Sequence, residues 1–228
     1  MWKRTANGRE FHFYLAGINN QNFLMRDRET GSWWQQVTGR AISGPLQGAT
    51  LELAPYDELT FGLWKSESPH GAVLAPVTGH EKDYDNDWEK EVAAYSVPVS
   101  FPGQGLKDRD VVVGVELAGQ SRAYPFDSLL RDKVVEDQVS GTPIALLVAG
   151  DGKSVRAFRS QWNGTAIELY RDQTSNERLI DGVGNEWNFD GCAVAGTATG
   201  NCLERVTILK DFWFDWKNYH PRTTVYRH

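Results

Sequence analysis

Ten residues in the first third of this chain return, in the same order, in its last third, and that repetition constrains the fold more than any other feature. The first set is Trp34, Gly39, Ala41, Gly44, Gly48, Leu51, Glu52, Trp64, Pro69 and Val73; the second is Trp187, Gly191, Ala193, Gly196, Gly200, Leu203, Glu204, Trp216, Pro221 and Val225. From Gly39 onward each pair is 152 residues apart (39 to 191, 73 to 225). A fixed offset of this kind points to one structural unit used twice. Residues found in both sets are then scaffold, and polar residues found in one set are the better candidates for function. The shared glycines suit turns or bulges that need positive φ or close backbone approach.

Between the sets, Val111–Arg171 reads as a meander. Val111–Glu116, Ser121–Tyr124, Val134–Val139, Ile144–Val148 and Ser154–Arg159 are short apolar or β-branched runs separated by turn residues. Phe126–Asp132 fits one helical turn. Asn163-Gly164 leads into Thr165–Arg171, and Asn-Gly between such runs signals a hairpin because both residues accept positive φ. The first copy begins inside this meander: Trp2, Asn7 and Gly8 match Phe158, Asn163 and Gly164 at an offset of 156, and nothing matches residues 111–155. Arg26-Asp27 align with Arg171-Asp172, at an offset of 145. That alignment makes the first copy longer by 11 residues up to this point (156 against 145) and the second longer by 8 before its Trp (153 against 145).

Each copy closes with a short helix. Leu209, Phe212, Trp213 and Trp216 form an i, i+3, i+4, i+7 stripe ended by His220-Pro221, and Phe61 and Trp64 hold the matching places ahead of Pro69-His70. The expected fold is mainly β: a tandem-duplicated β-meander, barrel- or sandwich-like, with short helices closing each copy. Residues 1–77 form an incomplete first copy, 78–110 an inter-repeat connection and 111–228 the second copy, either separate or fused into one β domain. An incomplete copy leaves a strand edge that the second copy covers or that invites self-association.

The 228 residues, 40% apolar with nine Trp, suffice for a buried core and are unlike a disordered composition. A net charge of −6 argues against non-specific binding to nucleic acid or an anionic membrane, which needs a basic face. No apolar run approaches the ~18 residues of a membrane span. The opening MWKRTANGREFHF lacks the pattern of a signal peptide. Cys192 and Cys202, matching Arg40 and Thr50, read as two buried thiols or as a disulfide, which requires an oxidising compartment and close Cα atoms.

The stretches FLMRDRETGSWWQQVTGRAISGPLQGATLEL, VVVGVELAGQSRAYPF and FWFDWKNYHPRTTVY resemble the bacterial family called domain of unknown function 3179, with similarity running from Trp2 to Tyr226. The resemblance implies a two-copy, β-rich protein without an established activity, working outside the cytoplasm. It also implies a Cys-Pro-x-Cys-like segment upstream of the position where this chain starts, so that the chain reads as a start-truncated member. Ala145–Gly150, the nearest equivalent in the second copy, holds no cysteine.

The residues unique to the first copy are the candidates for a site. Asn19, Asn20, Gln21 and Asn22 form an amide-rich loop, which is either an ordinary polar turn or a ligand loop. Trp33 and Trp34 are adjacent and point to opposite faces of a strand. Trp34, matched by Trp187, belongs in the core; Trp33, matched by Glu186, is either an aromatic platform or packed under a loop. Gln36 falls on the side of Trp34, where a buried amide would need partners that the Asn loop could supply. Arg28 and Glu29, facing Gln173 and Thr174, are unshared, and the Arg26–Thr30 cluster reads as a structural turn or as an acid–base group. His12, His70, His80, His220 and His228 show no metal-ligand spacing; His12 aligns with Glu168 on the solvent side, and His70 and His220 sit beside helix-ending prolines. No nucleophile elbow, Walker loop or dinucleotide fingerprint is present.

Two functional readings follow. One is a non-enzymatic binding or scaffold module for a polar small molecule or glycan, without cofactor, using Asn19, Asn20, Asn22, Arg28, Glu29, Trp33 and Gln36. The other is an enzyme or a redox or metal protein whose site needs the upstream cysteine segment.

Overall fold

The computed structural model describes residues 1–101, 103–172 and 178–227. The chain opens with the hairpin β1 (Thr5–Ala6) and β2 (Arg9–Glu10), then β3 (Phe13–Asn19), β4 (Asn22–Asp27), β5 (Trp33–Gln35) and β6 (Ala41–Ser43). Helix α1 (Phe61–Glu67) follows, and α2 (Trp88–Ala94) interrupts the connection. The meander comprises β7 (Val111–Leu117), β8 (Gln120–Pro125), α3 (Phe126–Asp132), β9 (Val134–Val139), β10 (Thr142–Val148) and β11 (Val155–Arg159). A hairpin, β12 (Gln161–Trp162) and β13 (Thr165–Ala166), leads to β14 (Leu169–Arg171), β15 (Leu179–Asp181), β16 (Glu186–Trp187) and β17 (Ala193–Ala195). The chain ends with β18 (Arg205–Val206), β19 (Ile208–Phe212), α4 (Trp213–Tyr219) and β20 (Thr224–Val225).

Four four-stranded sheets result, ordered β3-β4-β5-β6, β19-β7-β8-β20, β18-β11-β10-β9 and β14-β15-β16-β17. The pairings are antiparallel except β20 with β8. No sheet closes into a barrel. Instead the two middle sheets share one core, in which Val113, Val115 and Tyr124 meet Val135, Ile144, Leu146, Val148 and Val155 under Leu129 of α3. The runs VVVGV and IALLV are almost continuously apolar because both faces are buried. Val112 turns outward from β7 to Trp213 and Trp216 of α4. Ala145 and Leu147 turn outward from β10 to Leu169, Leu179, Trp187 and Ala193 of the last sheet. Gly114 is required by this layering, since a Cβ there would lie 2.2 Å from the Trp216 ring.

The first and last sheets have the same strand order and the same bonds. Trp34 Nε1 donates to Asp27 Oδ2 at 2.8 Å, and Trp187 Nε1 donates to Asp181 Oδ2 at 3.1 Å. Leu46 N–H donates to Ser32 Oγ, and Ala198 N–H to Asn185 Oδ1. Lys3 N–H donates to Glu52 O, and Arg159 N–H to Glu204 O, both at 2.8 Å. Gly39 lies under Trp2 and Gly191 under Phe158, each with positive φ and too close for a Cβ. The counterpart of Asp27 is therefore Asp181, not Asp172, and the expected pairing of Arg26-Asp27 with Arg171-Asp172 is corrected. The physical reason is the buried indole, whose N–H needs an acceptor beneath it. The large compensating length changes disappear with that correction.

The expected stripe beginning at Leu209 is also corrected. Leu209 and Phe212 lie in β19, and only Trp213 onward is helical. Cys192 and Cys202 are neither free nor buried thiols: they face one another in an antiparallel bridge, with Cα atoms 3.9 Å apart, and form a disulfide. Arg40 and Thr50 form the same bridge in the first sheet without the covalent link.

Candidate functional site

The segment after β6 straps the first sheet to the sandwich. Thr60 caps α1, its hydroxyl donating to Asp151 and its N–H to Ser154. The Arg156 guanidinium, 3% exposed, binds Asp57, Glu67 and Asp190 and lies 4.7 Å over the Phe189 ring. The connection read from sequence as a plain linker contributes Arg109, held 4.9 Å from both the Phe212 and Phe214 rings.

With the strap in place, the first sheet faces the α4 side of the β19-β7 sheet across a cleft of about 570 Å³. Met1, Trp2, Asn22, Gln36, Val37 and Leu53 line one wall; Gly114, Glu116, Ile208, Leu209, Lys210, Asp211, Asp215, Trp216 and His220 line the other, with Tyr56 at the strap. Asp211 is the penultimate residue of β19 and Asp215 lies in the first turn of α4. The junction between them turns both carboxyls into the cleft. Asp211 accepts the Phe212 N–H at 2.7 Å, and Asp215 accepts Asn22 Nδ2 at 2.5 Å. Burial, followed by the charge of Asp215, pushes the Asp211 carboxyl up to about 8, and the protonated group donates to Asp215. Burial also raises Asp215, against the lowering pull of Asn22, Asp211, Arg109 and His220. Two buried carboxyls that influence one another titrate as a pair, and burial favours the protonated form of each.

His220 stacks on Trp216 with ring centroids 3.7 Å apart. Its Nδ1 faces the Trp216 carbonyl at 3.1 Å and its Nε2 faces Glu116 Oε2 at 3.2 Å. Among the described residues, no three His, Cys, Asp or Glu side chains converge as a metal site requires, and no helix is long and apolar enough to cross a membrane.

The residues singled out from sequence are divided by the fold. Asn22 and Gln36 line the cleft. Gln36 is exposed rather than buried, because β5 ends at Gln35 and the chain turns away. Asn19 and Asn20 use their carbonyls, accepting from Tyr219 Oη and Asn22 Nδ2. Trp33 is half-buried, flanked by Gly17 and by the Arg26 guanidinium 5.6 Å from its ring. Arg28 lies over Tyr14, and Glu29 accepts from the backbone N–H of His12 and pairs with its ring. These last three stand away from the cleft. Gln173, Thr174 and His228 lie outside the described residues. Asp211, Asp215 and His220 escaped the sequence reading, although Asp211 and Asp215 stand four apart at the helix entry and His220 was seen as a helix-end residue.

Against this geometry, a family model described as Protein of unknown function (DUF3179) matches residues 1–223. The chain belongs to the DUF3179 family. No curated protein and no solved structure shows a significant match. The shared cleft of this DUF3179 chain is thus read from its own chemistry, and its floor has the features of a site: paired carboxyls, an oriented imidazole and an opening to solvent.

Proposed function

We propose that this protein binds a polar small molecule in the cleft between its first sheet and its sandwich. The observation that carries the reading is that Asp211 and Asp215 line the same ligand-sized cleft, Asp215 held by Asn22 from the opposite wall, with burial raising both carboxyls. Ligand sites combine apolar walls with a few convergent polar groups. Here Trp2, Val37, Leu53 and Leu209 supply the walls, and Asn22, Asp211, Asp215, Lys210 and His220 the polar groups. A glycan is one such ligand, with Trp2 as the aromatic wall. Trp33, Arg28 and Glu29 contribute from elsewhere in this reading or not at all. The Cys192–Cys202 disulfide supports a protein at work where disulfides persist.

Thermal shift against mono- and disaccharides, amino acids and diamines tests the proposal. At least one class should stabilise the wild type by several degrees and fail to stabilise Asp215→Asn. No shift from any class removes the reading.

A second reading, general acid–base catalysis, rests on Asp211 itself. A carboxyl that stays protonated near neutral pH can donate a proton, and His220, oriented by Glu116 and the Trp216 carbonyl, can relay one. Turnover of a substrate with a pH limb near 8, abolished in Asp211→Asn, separates catalysis from binding alone. Exposed Leu15 and Ile18 on the edge strand β3 support self-association as a further property, and a clean monomer in size-exclusion chromatography removes it.

A further inference from the structure

We propose that the first sheet is a hinged lid over the cleft and that the β3–β4 hairpin tip is its latch. Among the described residues, the hydrogen bonds joining residues 1–53 to the chain beyond the strap leave from that tip. Asn22 Nδ2 reaches Asp215, the Asn19 carbonyl accepts from Tyr219 Oη, and Gln21 donates to the Ser96 carbonyl and accepts from Arg109. The sheet's buried core of Trp34, Ala41 and Leu51 belongs to itself, so no apolar layer glues it to the sandwich. The remaining attachment is the strap at Tyr56, Asp57 and Thr60, firmly bound to the sandwich by Ile208, Arg156 and Asp151.

A body with its own core, strapped on its downstream side and held across the cleft by a few polar bonds at one tip, opens at that tip. The tip is tight: Asn20 and Gln21 take positive φ at 49° and 68° between the paired Asn19 and Asn22, forming a two-residue turn. Local opening of a unit held by a few polar bonds costs less than global unfolding, so the lid opens on its own within the folded protein. Arg109 is a positioning residue in this device. Its guanidinium, sandwiched by Phe212 and Phe214, presents one nitrogen to Gln21 and to the Tyr95 carbonyl, tying the connection to the latch.

The lid depends on the cleft but not on what fills it, so a failed ligand screen and a failed latch are separate results. Hydrogen exchange on the full chain, for wild type, Asn22→Ala and Gln21→Ala, tests the latch. Asn22→Ala is expected to speed exchange about tenfold both at the hairpin, residues 13–27, and at the cleft floor, residues 207–212, with β10 and β11 unchanged. Gln21→Ala, which removes a surface side chain, gives the same pattern more weakly should Asn22→Ala fail to fold. Spin labels on Leu15→Cys and Arg222→Cys add a distance readout, in which the latch variants populate a longer separation. Faster exchange confined to the hairpin, or one unchanged distance in all three proteins, overturns the lid.

Discussion

The last sheet lays Leu169, Leu179 and Trp187 directly on Ala145 and Leu147 of the sandwich, whereas the first holds Trp34, Ala41 and Leu51 in a separate core and meets the opposite face across a cleft. The two sheets match bond for bond, from the Trp–Asp pair to the Gly-floored aromatic. The difference lies in what they face. The outer face of β10 is apolar and fuses to its neighbour, while the outer face of β7 and β19 presents Gly114, Glu116 and Asp211 and holds its neighbour off. Two sheets of the same strand order therefore border a core on one side of the molecule and a cleft on the other.

The largest test of that contrast is a pair of tryptophan deletions. Trp187→Ala should cost about 4 kcal/mol of global stability, because its core is continuous with the sandwich. Trp34→Ala should melt the first sheet while the sandwich keeps its own transition, as seen by calorimetry with hydrogen exchange. Equal global losses would break the contrast. Next in size is Arg156→Ala, which strips the strap of its buried cation, leaving Glu67 without that partner and Asp57 with Arg205 alone. A loss of about 3 kcal/mol in chemical denaturation is expected.

The disulfide sharpens the comparison by symmetry. Removing it with Cys192→Ser and Cys202→Ser should cost about 2–3 kcal/mol for a loop of 10 residues. Adding its equivalent with Arg40→Cys and Thr50→Cys should raise the melting of the first sheet alone. The last test is in pH and reads a slope rather than a single loss. The folded state keeps the Asp211 proton up to about 8, while the unfolded chain releases it near the ordinary carboxylate value. Stability then falls as pH rises through that window, by up to about 1.4 kcal/mol per pH unit. Asp211→Asn should flatten this limb. The acid limb should survive, since the hydrogen bonds that Asp27 accepts from Trp34, Thr30 and Gly31, and that Asp181 accepts from Asn185, Trp187 and Val183, together outweigh burial and hold both carboxyls below the usual value; that contribution is present above the ordinary carboxylate value and lost as pH falls through the lowered one.

Much of the fold could be read before any coordinates. Each run of the meander matches a strand, and Asn7-Gly8 and Asn163-Gly164 each sit at a hairpin, because period-two patterning and positive-φ turns are local properties. The misplaced partner of Asp27 shows where that reading stops. Arg-Asp recurs in sequence by chance, and only the buried indole above Asp27 and Asp181 reveals which carboxylates correspond. Within the amide loop, Asn22 lines the cleft and donates to Asp215, whereas Asn19 and Asn20 act through their backbone carbonyls and Gln21 bonds to the Ser96 carbonyl, partners that no local pattern reveals.

The sequence by itself determined the strands of the meander, the mainly β class and the family, since alternating apolar residues and special turns act over a few residues. Tertiary structure alone decided the cleft. Asn22 and Asp215 stand 193 residues apart, and the high value at Asp211 comes from desolvation and from a neighbouring charge, neither of which exists until the sheets face one another.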